Sequence, residues 1–206
     1  MITSVIFDLN GTILSDEDEY GLAFKKVLNK LDVSVSDYPH ESGIGVPANW
    51  VIFLNKYNIK SAFSILELSD MTQKEYLKMS PRVTLTKGFT DFIRSLKREG
   101  KKTALATSND RLVVSEVLKR FKIGKYFDVV TTGDEVKNNK PDPEIFVLCA
   151  KRLNAKPAEC LVFEDSDAGI QAARTAGMTV YGIGRKDMVK SFTDFTKVRR
   201  EDIILL

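Results

Sequence analysis

Strand-like and helix-like patterns alternate along this chain from residue 83 onward. Apolar runs predict strands at 102–107, 127–131, 160–163 and 178–183, and amphipathic patterns predict helices at 89–100, 112–121, 143–153 and 168–176. Strands that alternate with helices through short loops form a parallel sheet with helices on both faces. The pattern therefore predicts an α/β fold with a Rossmann-like, doubly wound parallel sheet.

Another predicted strand lies far upstream, where the apolar run from Val5 to Phe7 leads directly into Asp8. Open α/β sheets bind their ligands at the carboxyl ends of the strands, which is the position of Asp8. Gly11 allows a tight turn after this strand, and Thr12 offers a hydroxyl group and an amide to an anion. An isolated aspartate at a strand end would be an ordinary polar cap, so the rest of the chain decides its role.

The segment between this first strand and its partners is helical in pattern and shows no convincing strand. Helices are predicted at about 16–31, from Pro47 onward, at 61–68 and at 72–79, with a loop over 32–45. The acids of 16–19 would lie in the first turn of the first helix, where they complement its dipole. We therefore predict a core of residues 1–14 and 82–206, interrupted by an inserted, all-helical cap domain of residues 15–81.

Composition and charge exclude several classes of protein. Of the 206 residues, 43% are hydrophobic, enough for a globular core, and the net charge of +3 is too small and too scattered for nucleic-acid binding. Cys149 and Cys160 are far apart and His40 is the only histidine, so neither a disulfide framework nor a zinc site is expected. No apolar run is long enough for a membrane span, and the first strand leaves no room for a secretory signal. We expect a cytoplasmic protein that binds neither membranes nor nucleic acid.

Polar residues follow each predicted strand, and in a parallel sheet these strand ends meet at one edge. They are Asp8, Asn10 and Thr12, then Thr107, Ser108 and Asn109, then Asp134, and finally Glu164 and Asp165. Clustered carboxylates repel one another unless a cation joins them, and together with carbonyl oxygens they suit Mg²⁺. The sequence therefore predicts a magnesium site at this edge.

Donor groups at the same edge would suit an anionic ligand. The candidate phosphate-binding residues are Gly11, Thr12, Thr107, Ser108, Asn109 and Lys140. Lys140 precedes a predicted helix and could neutralise charge, although an isolated lysine there would be an ordinary surface residue. Carboxylates, a divalent cation, one lysine and several donors suit phosphoryl transfer, in which Asp8 attacks phosphorus and the cations shield the charge.

Four segments of the chain resemble the motifs of the haloacid dehalogenase superfamily. They are 7–12 (Phe-Asp-Leu-Asn-Gly-Thr), 106–109 (Ala-Thr-Ser-Asn), 140–146 (Lys-Pro-Asp-Pro-Glu-Ile-Phe) and 163–170 (Phe-Glu-Asp-Ser-Asp-Ala-Gly-Ile). In this order and spacing, they make the chain similar to the subfamily with a helical cap inserted after the first motif. Beta-phosphoglucomutase and phosphoglycolate phosphatase relatives belong to that subfamily.

The resemblance implies a role for each matching residue. Asp8 would be the nucleophile and a metal ligand, and the backbone carbonyl of Asn10 would also bind Mg²⁺. Asp165 would complete the metal site, with Glu164 as a direct or water-mediated ligand. Thr107 would bind the phosphate, and the lysine of the third motif would bind both the phosphate and the nucleophile.

Asn10 departs from the resemblance, because phosphatases and phosphomutases of this superfamily have an acid–base Asp at this position. Such catalysis is typically worth ~10²–10⁴-fold, and an amide cannot provide it. Asn10 is consistent with an engineered change, with slow turnover or good leaving groups, or with a relative that binds without catalysis. Dehalogenase or phosphonatase chemistry is less well supported, because those relatives have Tyr or Ala here. Partial deamidation at Asn10-Gly11 is a further alternative.

The sequence thus predicts a Mg²⁺-dependent hydrolase of small phosphorylated metabolites that works through an aspartyl-phosphate. A phosphomutase of the beta-phosphoglucomutase type is the close alternative. A non-catalytic relative that binds a phosphometabolite or a protein is the alternative from another class. We expect a monomer or a weak dimer.

Overall fold

The computed structural model describes residues 1–35, 40–188 and 190–204. Its strands are β1 (Ser4–Phe7), β2 (Leu14–Ser15), β3 (Thr84–Leu85), β4 (Lys102–Thr107), β5 (Val129–Thr132), β6 (Cys160–Glu164), β7 (Thr179–Ile183) and β8 (Ser191–Phe192). Its α-helices are α1 (Glu17–Lys30), α2 (Val46–Lys56), α3 (Ile65–Met79), α4 (Phe89–Arg98), α5 (Arg111–Phe121), α6 (Glu144–Leu153), α7 (Asp167–Thr175) and α8 (Glu201–Ile204).

Six parallel strands form the central sheet in the order β5-β4-β1-β6-β7-β8. The chain moves outward from β1 through β4 to β5 and then returns to the other side of β1 with β6. Sheets of this kind bind ligands where the strand order reverses, outside the carboxyl ends of the strands. Here that crevice lies between β1 and β6. The predicted α/β, doubly wound fold is confirmed.

Both faces of the central strands are buried, as expected for a parallel sheet. On one face, Phe7 of β1 stacks on Phe163 of β6 at 5.4 Å and meets the edge of Phe89 at 5.5 Å. On the other face, Ile6 and Val162 pack against the helices α6 and α7. This packing holds the neighbouring ends of β1 and β6 in place, where the polar residues follow.

The helices α1, α2 and α3 lie between β2 and β3 in the chain and pack on one another. Their shared core contains Phe24, Trp50 and Phe53, with ring centroids 5.0–5.7 Å apart. The division into a core of 1–14 and 82–206 and a cap of 15–81 remains a prediction. Within the described residues, no helix is both long enough and apolar enough to cross a membrane.

The prediction of two helices at 61–68 and 72–79 is wrong, because α3 is continuous. Leu68, Thr72, Tyr76 and Met79 form an unbroken buried stripe along the whole helix, and polar residues such as Gln73 are buried beside it. Ser64 and Glu67 exchange hydrogen bonds in a capping box, with the Ser64 amide donating at 2.7 Å. This cap explains why the helix begins at residue 65.

Two strand pairings were not anticipated. Leu14 pairs with Leu85 and Ser15 with Thr84 in an antiparallel ladder, at the two crossings between the helical segment and the sheet. The segment after residue 184, which is only weakly patterned, adds the edge strand β8 beside β7. Strands of two residues are too short to show a period of two in sequence. Part of the predicted loop over 32–45, namely 36–39, lies outside the described residues.

Candidate active site

Lys140 joins the ends of β1 and β6. Its Nζ donates to Oδ1 of Asp8 and to Oε1 of Glu164, each at 2.6 Å, and to the carbonyl of Ala106 at 3.2 Å. Lys140 is 2% exposed, Asp8 6% and Glu164 0%. A buried ammonium with three acceptors is satisfied, so this lysine is not the surface residue that its isolated context suggests.

The shared lysine and the burial act in opposite directions on these charges. Burial lowers the pKa of Lys140, but the carboxylates of Asp8 and Glu164 more than compensate and raise it above its ordinary value. Burial raises the pKa of Asp8 to about 7, against the lowering effect of Lys140. The lysine is therefore positively charged at neutral pH, whereas Asp8 is partly protonated there.

Asp8, Glu164 and Asp165 each offer a carboxylate oxygen, and these oxygens lie within 4.8 Å of one another. Glu164 is already engaged, since its Oε2 accepts from the amides of Asp165 and Ser166 at 2.8 Å and its Oε1 from the lysine. Asp165 accepts at Oδ1 from the hydroxyl of Thr12 at 2.8 Å. Clustered hard oxygen donors of this kind fit a magnesium ion.

Two glycines make this close packing possible. Gly11 has φ +73°, and a Cβ there would lie 2.1 Å from Oδ2 of Asp165. A Cβ on Gly169 of α7 would lie 1.9 Å from Oε1 of Glu164. Gly11 was expected for the turn, but the need for Gly169 was missed. Its presence in the fourth motif was the available signal.

The three residues after β4 have different surroundings. Thr107 is buried, and its Oγ1 accepts from the amide of Asn109 at 3.2 Å. Ser108 donates its hydroxyl hydrogen to the carbonyl of Gly43 at 2.6 Å, which links the sheet edge to the loop before α2. Asp110, and none of these three, caps α5 by accepting from the Val113 amide at 3.2 Å.

Asn10 lies in a buried polar network. Its Nδ2 donates to Oδ2 of Asp16, and its Oδ1 accepts from Nδ2 of Asn109. The hydroxyl of Tyr76 also donates to Oδ2 of Asp16, at 2.5 Å, and the hydroxyl of Tyr20 donates to Oδ1 of Asn109 at 2.8 Å. Asp16 is the N-cap residue of α1, at the end of the helix where an acid complements the dipole, but its carboxylate turns toward Asn10 and accepts no hydrogen bond from a helix amide.

A cavity between the sheet edge and the helices α1 and α2 opens onto Asp8 and Asn10. Tyr20, Phe24 and His40 contribute aromatic rings to its lining. Its free volume is about 40 Å³. The sequence pattern did not single out Tyr20 and Phe24 for this site, because aromatic residues of a predicted helix ordinarily pack in its core.

The other predicted residues are distributed as follows. Thr12 lies beside Asp165, as described above, and Lys140, Thr107 and Asp8 meet at the same edge of the sheet. Asp134 accepts from the amide of Arg111 at 3.1 Å, so its carboxylate is bonded to the first residue of α5. Ser166 caps α7 by accepting from the Gly169 amide at 3.1 Å.

Comparison with known proteins assigns this arrangement to a family. Residues 5–183 match the haloacid dehalogenase-like hydrolases. The chain belongs to this family. The resemblance indicated by the four motifs is therefore confirmed, and the match extends from β1 to β7 and includes the helical segment between β2 and β3.

Relatives of this family member include named phosphatases. A phosphorylated carbohydrates phosphatase of Thermotoga maritima is 35% identical over 188 residues, which cover 87% of this chain and 84% of that protein. The fructose-1-phosphate phosphatase YqaB of Escherichia coli is 32% identical over 179 residues, covering 84% and 92%. The crystal structure of beta-phosphoglucomutase from Clostridium difficile superposes with a TM-score of 0.88 at 27% identity, covering 98% and 96%.

Proposed function

We propose that this chain is a Mg²⁺-dependent phosphatase of small phosphorylated metabolites that forms an aspartyl-phosphate on Asp8. The observation that carries the proposal is the buried contact of Lys140 with Asp8, next to the carboxylate of Asp165. A carboxylate with a fixed cation on one oxygen is oriented for attack through the other. The named activities of the two phosphatase relatives support the same reaction class.

Asp8, Asp165 and the backbone carbonyl of Asn10 would hold the metal ion. A bound magnesium ion supplies positive charge that lets two anions approach each other. Glu164 would orient the groups around the metal ion without binding it directly, because its oxygens accept hydrogen bonds from Lys140 and from the loop that contains Asp165. This arrangement favours an indirect role for Glu164 over direct ligation.

The proposed reaction has two steps. Oδ2 of Asp8 attacks phosphorus, the bond between phosphorus and the alcohol oxygen breaks, and this oxygen takes a proton from solvent water as the alcohol leaves. A water molecule then attacks the phosphorus of the aspartyl-phosphate and gives its proton to solvent, which releases inorganic phosphate and restores the Asp8 carboxylate. Lys140 remains charged throughout and balances the negative charge that develops.

Proton transfer is the slow part of this mechanism. Asn10 neither gives the proton that the leaving alcohol needs nor takes the proton of the attacking water. Leaving groups that need little protonation, such as p-nitrophenolate, should therefore react faster than sugar alcohols. We expect turnover that is slow for alkyl phosphates and strongly dependent on the leaving group.

The charge of the cavity favours a phosphatase over a phosphomutase. The charged residues in its lining are the acids Asp8 and Glu41, and no Lys or Arg is among the lining residues that the structure describes. Asp8 is balanced by Lys140, but a second phosphate group on the substrate would lie in the same lining as Glu41, where no described Lys or Arg would balance the two charges. The cavity therefore favours a phosphomonoester whose remaining part is uncharged over a sugar bisphosphate.

The first experiment measures phosphate release with Mg²⁺ from p-nitrophenyl phosphate and from a panel of sugar and polyol monophosphates. We expect turnover that EDTA removes, and a loss of at least ~10³-fold in Asp8→Asn, because the nucleophile is gone. Asp18→Asn, an exposed aspartate of α1, is the matched control and should keep its activity. Turnover that survives in both Asp8→Asn and EDTA would contradict the mechanism.

Two outcomes would select the alternatives. Transfer of phosphate from a sugar bisphosphate to a second sugar, faster than its release to water, would identify a phosphomutase. Binding of inorganic phosphate with Mg²⁺, but no turnover of any ester, would identify a binding relative. Phosphorus NMR of the same reactions distinguishes the two.

A further inference from the structure

We propose that Asp16 is a positioning residue that requires an amide at residue 10, so that Asn10 and Asp16 form one matched pair. The effect of this pair on turnover rests on the proposed phosphatase function, whereas the pair itself does not. The consequence is that restoring an aspartate at residue 10 alone would not restore an efficient enzyme.

The position of Asp16 is the first argument. It lies between β2 and α1, is 2% exposed, and accepts hydrogen bonds with both carboxylate oxygens. Its Oδ1 accepts from the amide of Gly11 at 3.2 Å, and its Oδ2 accepts from Tyr76 of α3 and from the side chain of Asn10. Asp16 thus ties the loop after β1 to the helical segment above it.

The donor and acceptor pattern is the second argument. A buried carboxylate needs donors, and Asn10 provides one through Nδ2 while its Oδ1 accepts from Asn109. Asn109 is in turn oriented by the hydroxyl of Tyr20, so the amide of Asn10 has a single orientation that satisfies every partner. An aspartate at residue 10 would keep the bond from Asn109 but would point a second carboxylate oxygen at Asp16.

The charge of the site is the third argument. Asp8 and Glu164 contact the buried lysine, a carboxylate oxygen of Asp165 lies within 4.8 Å of theirs, and the charge of Asp16 acts on Asp8, so four acids already share this region. An aspartate at residue 10 would add a fifth acid in contact with Asp16, and like charges in buried sites are costly. An amide at residue 10 therefore belongs with an acid at residue 16, as a built-in feature of this chain.

The experiment compares four chains: the unsubstituted chain, N10D, D16N and N10D/D16N. Urea unfolding without metal measures the pair independently of any catalysis, and kcat and KM for p-nitrophenyl phosphate with Mg²⁺ measure its effect on turnover. In N10D/D16N the amide and the carboxylate exchange places, so that the side-chain amide at residue 16 can donate to the carboxylate at residue 10. We expect N10D to unfold more easily, and the coupling of the two changes to be at least ~10-fold in the unfolding equilibrium constant.

For turnover, we expect kcat of N10D/D16N to exceed that of N10D by ~10²-fold, at similar KM, because only the double variant holds an acid in the orientation that position 10 requires. Asn55→Asp on the exposed side of α2 controls for the added charge. Additive unfolding effects would overturn the pairing. Equal kcat in N10D and N10D/D16N would overturn the positioning role, and no turnover in any chain, with the unfolding coupling intact, would overturn the phosphatase proposal and support the pair.

Discussion

At the scale of single residues, the charge of Asp8 is set by a lysine that it shares. Lys140 contacts both Asp8 and Glu164 at 2.6 Å, so neither carboxylate has the full benefit of the cation. Burial therefore prevails, and the pKa of Asp8 rises to about 7. Near pH 7, the carboxyl group of Asp8, the proposed nucleophile, is therefore close to equal populations of its neutral and charged forms until further positive charge is present.

This raised pKa predicts a pH-dependent effect of Asp8→Asn on stability. Without metal, folded Asp8 keeps its proton up to about pH 7, whereas the unfolded chain loses it near pH 3.8, so the folded protein loses stability as the pH rises between these values. Asp8→Asn removes this loss. We expect the unfolding free energy of the variant, relative to that of the unsubstituted chain, to rise by on the order of 2 kcal/mol between pH 5 and pH 8.

Urea unfolding at the two pH values measures this difference. Asp18→Asn, an exposed position, is the control and should show a much smaller change between pH 5 and pH 8. The same relative stability of Asp8→Asn at both pH values would mean that burial does not dominate at Asp8.

At the scale of elements, the strand ends were predictable and the helix contacts were not. The ends of β1, β4 and β6 follow from apolar runs that stop at polar residues, and the structure places them at one edge of the sheet. The continuity of α3 was missed because its buried stripe includes polar residues such as Thr72 and Gln73. A hydroxyl group that is buried for a hydrogen bond has no signature in a hydrophobic pattern.

Thr72 illustrates such a bond and supports a prediction for α3. Its Oγ1 accepts from the indole nitrogen of Trp50 at 2.9 Å, and both side chains are fully buried. Thr72→Val keeps the volume but leaves the indole N–H without an acceptor, which should cost about 1–3 kcal/mol of unfolding free energy. In a Trp50→Phe background this N–H is absent, so we expect Thr72→Val to cost less than half as much there. Equal costs in both backgrounds would contradict the role of this bond.

At the scale of the whole molecule, the site leaves little free space between the sheet edge and the helices α1 and α2. The cavity over Asp8 has a free volume of about 40 Å³, room for a few water molecules, whereas small-molecule sites typically measure roughly 300–1,000 Å³. We therefore expect the proposed phosphorylated substrate to enter only when the helices α1–α3 move away from the sheet. The chain passes between the sheet and the helices α1–α3 at the short β2–β3 ladder. We expect the hinge of this movement to lie there.

Spin labels on either side of the proposed hinge test this movement. Double electron–electron resonance would measure the distance between two spin labels on cysteines introduced at Asn55 of α2 and Lys151 of α6. Burial raises the pKa of Cys149 to about 12 and that of Cys160 to about 11, so the natural thiols should resist labelling at pH 7. We expect a second, longer separation in the free protein, and a shift toward one separation with Mg²⁺ and inorganic phosphate.

A pair of labels at Lys119 of α5 and Lys151 of α6 is the matched control, since both helices pack on the same sheet. Their separation should not respond to Mg²⁺ and phosphate. A single, unchanged separation for the Asn55 and Lys151 labels would show that substrate enters without movement of the helices.

Local sequence patterns were sufficient to predict the fold and the position of the main acidic residues of the site. Apolar period and turn residues decide which residues form strands and where each strand ends, so local patterns alone were enough to place Asp8, Thr107, Glu164 and Asp165 at one sheet edge. Tertiary packing decided which partners these groups receive. Lys140 bridges two carboxylates, and Asn10 lies between Asp16 and Asn109, because residues up to 132 positions apart converge there. Hydrogen bonds over such separations depend on the orientation of side chains in the packed molecule, which no local pattern records.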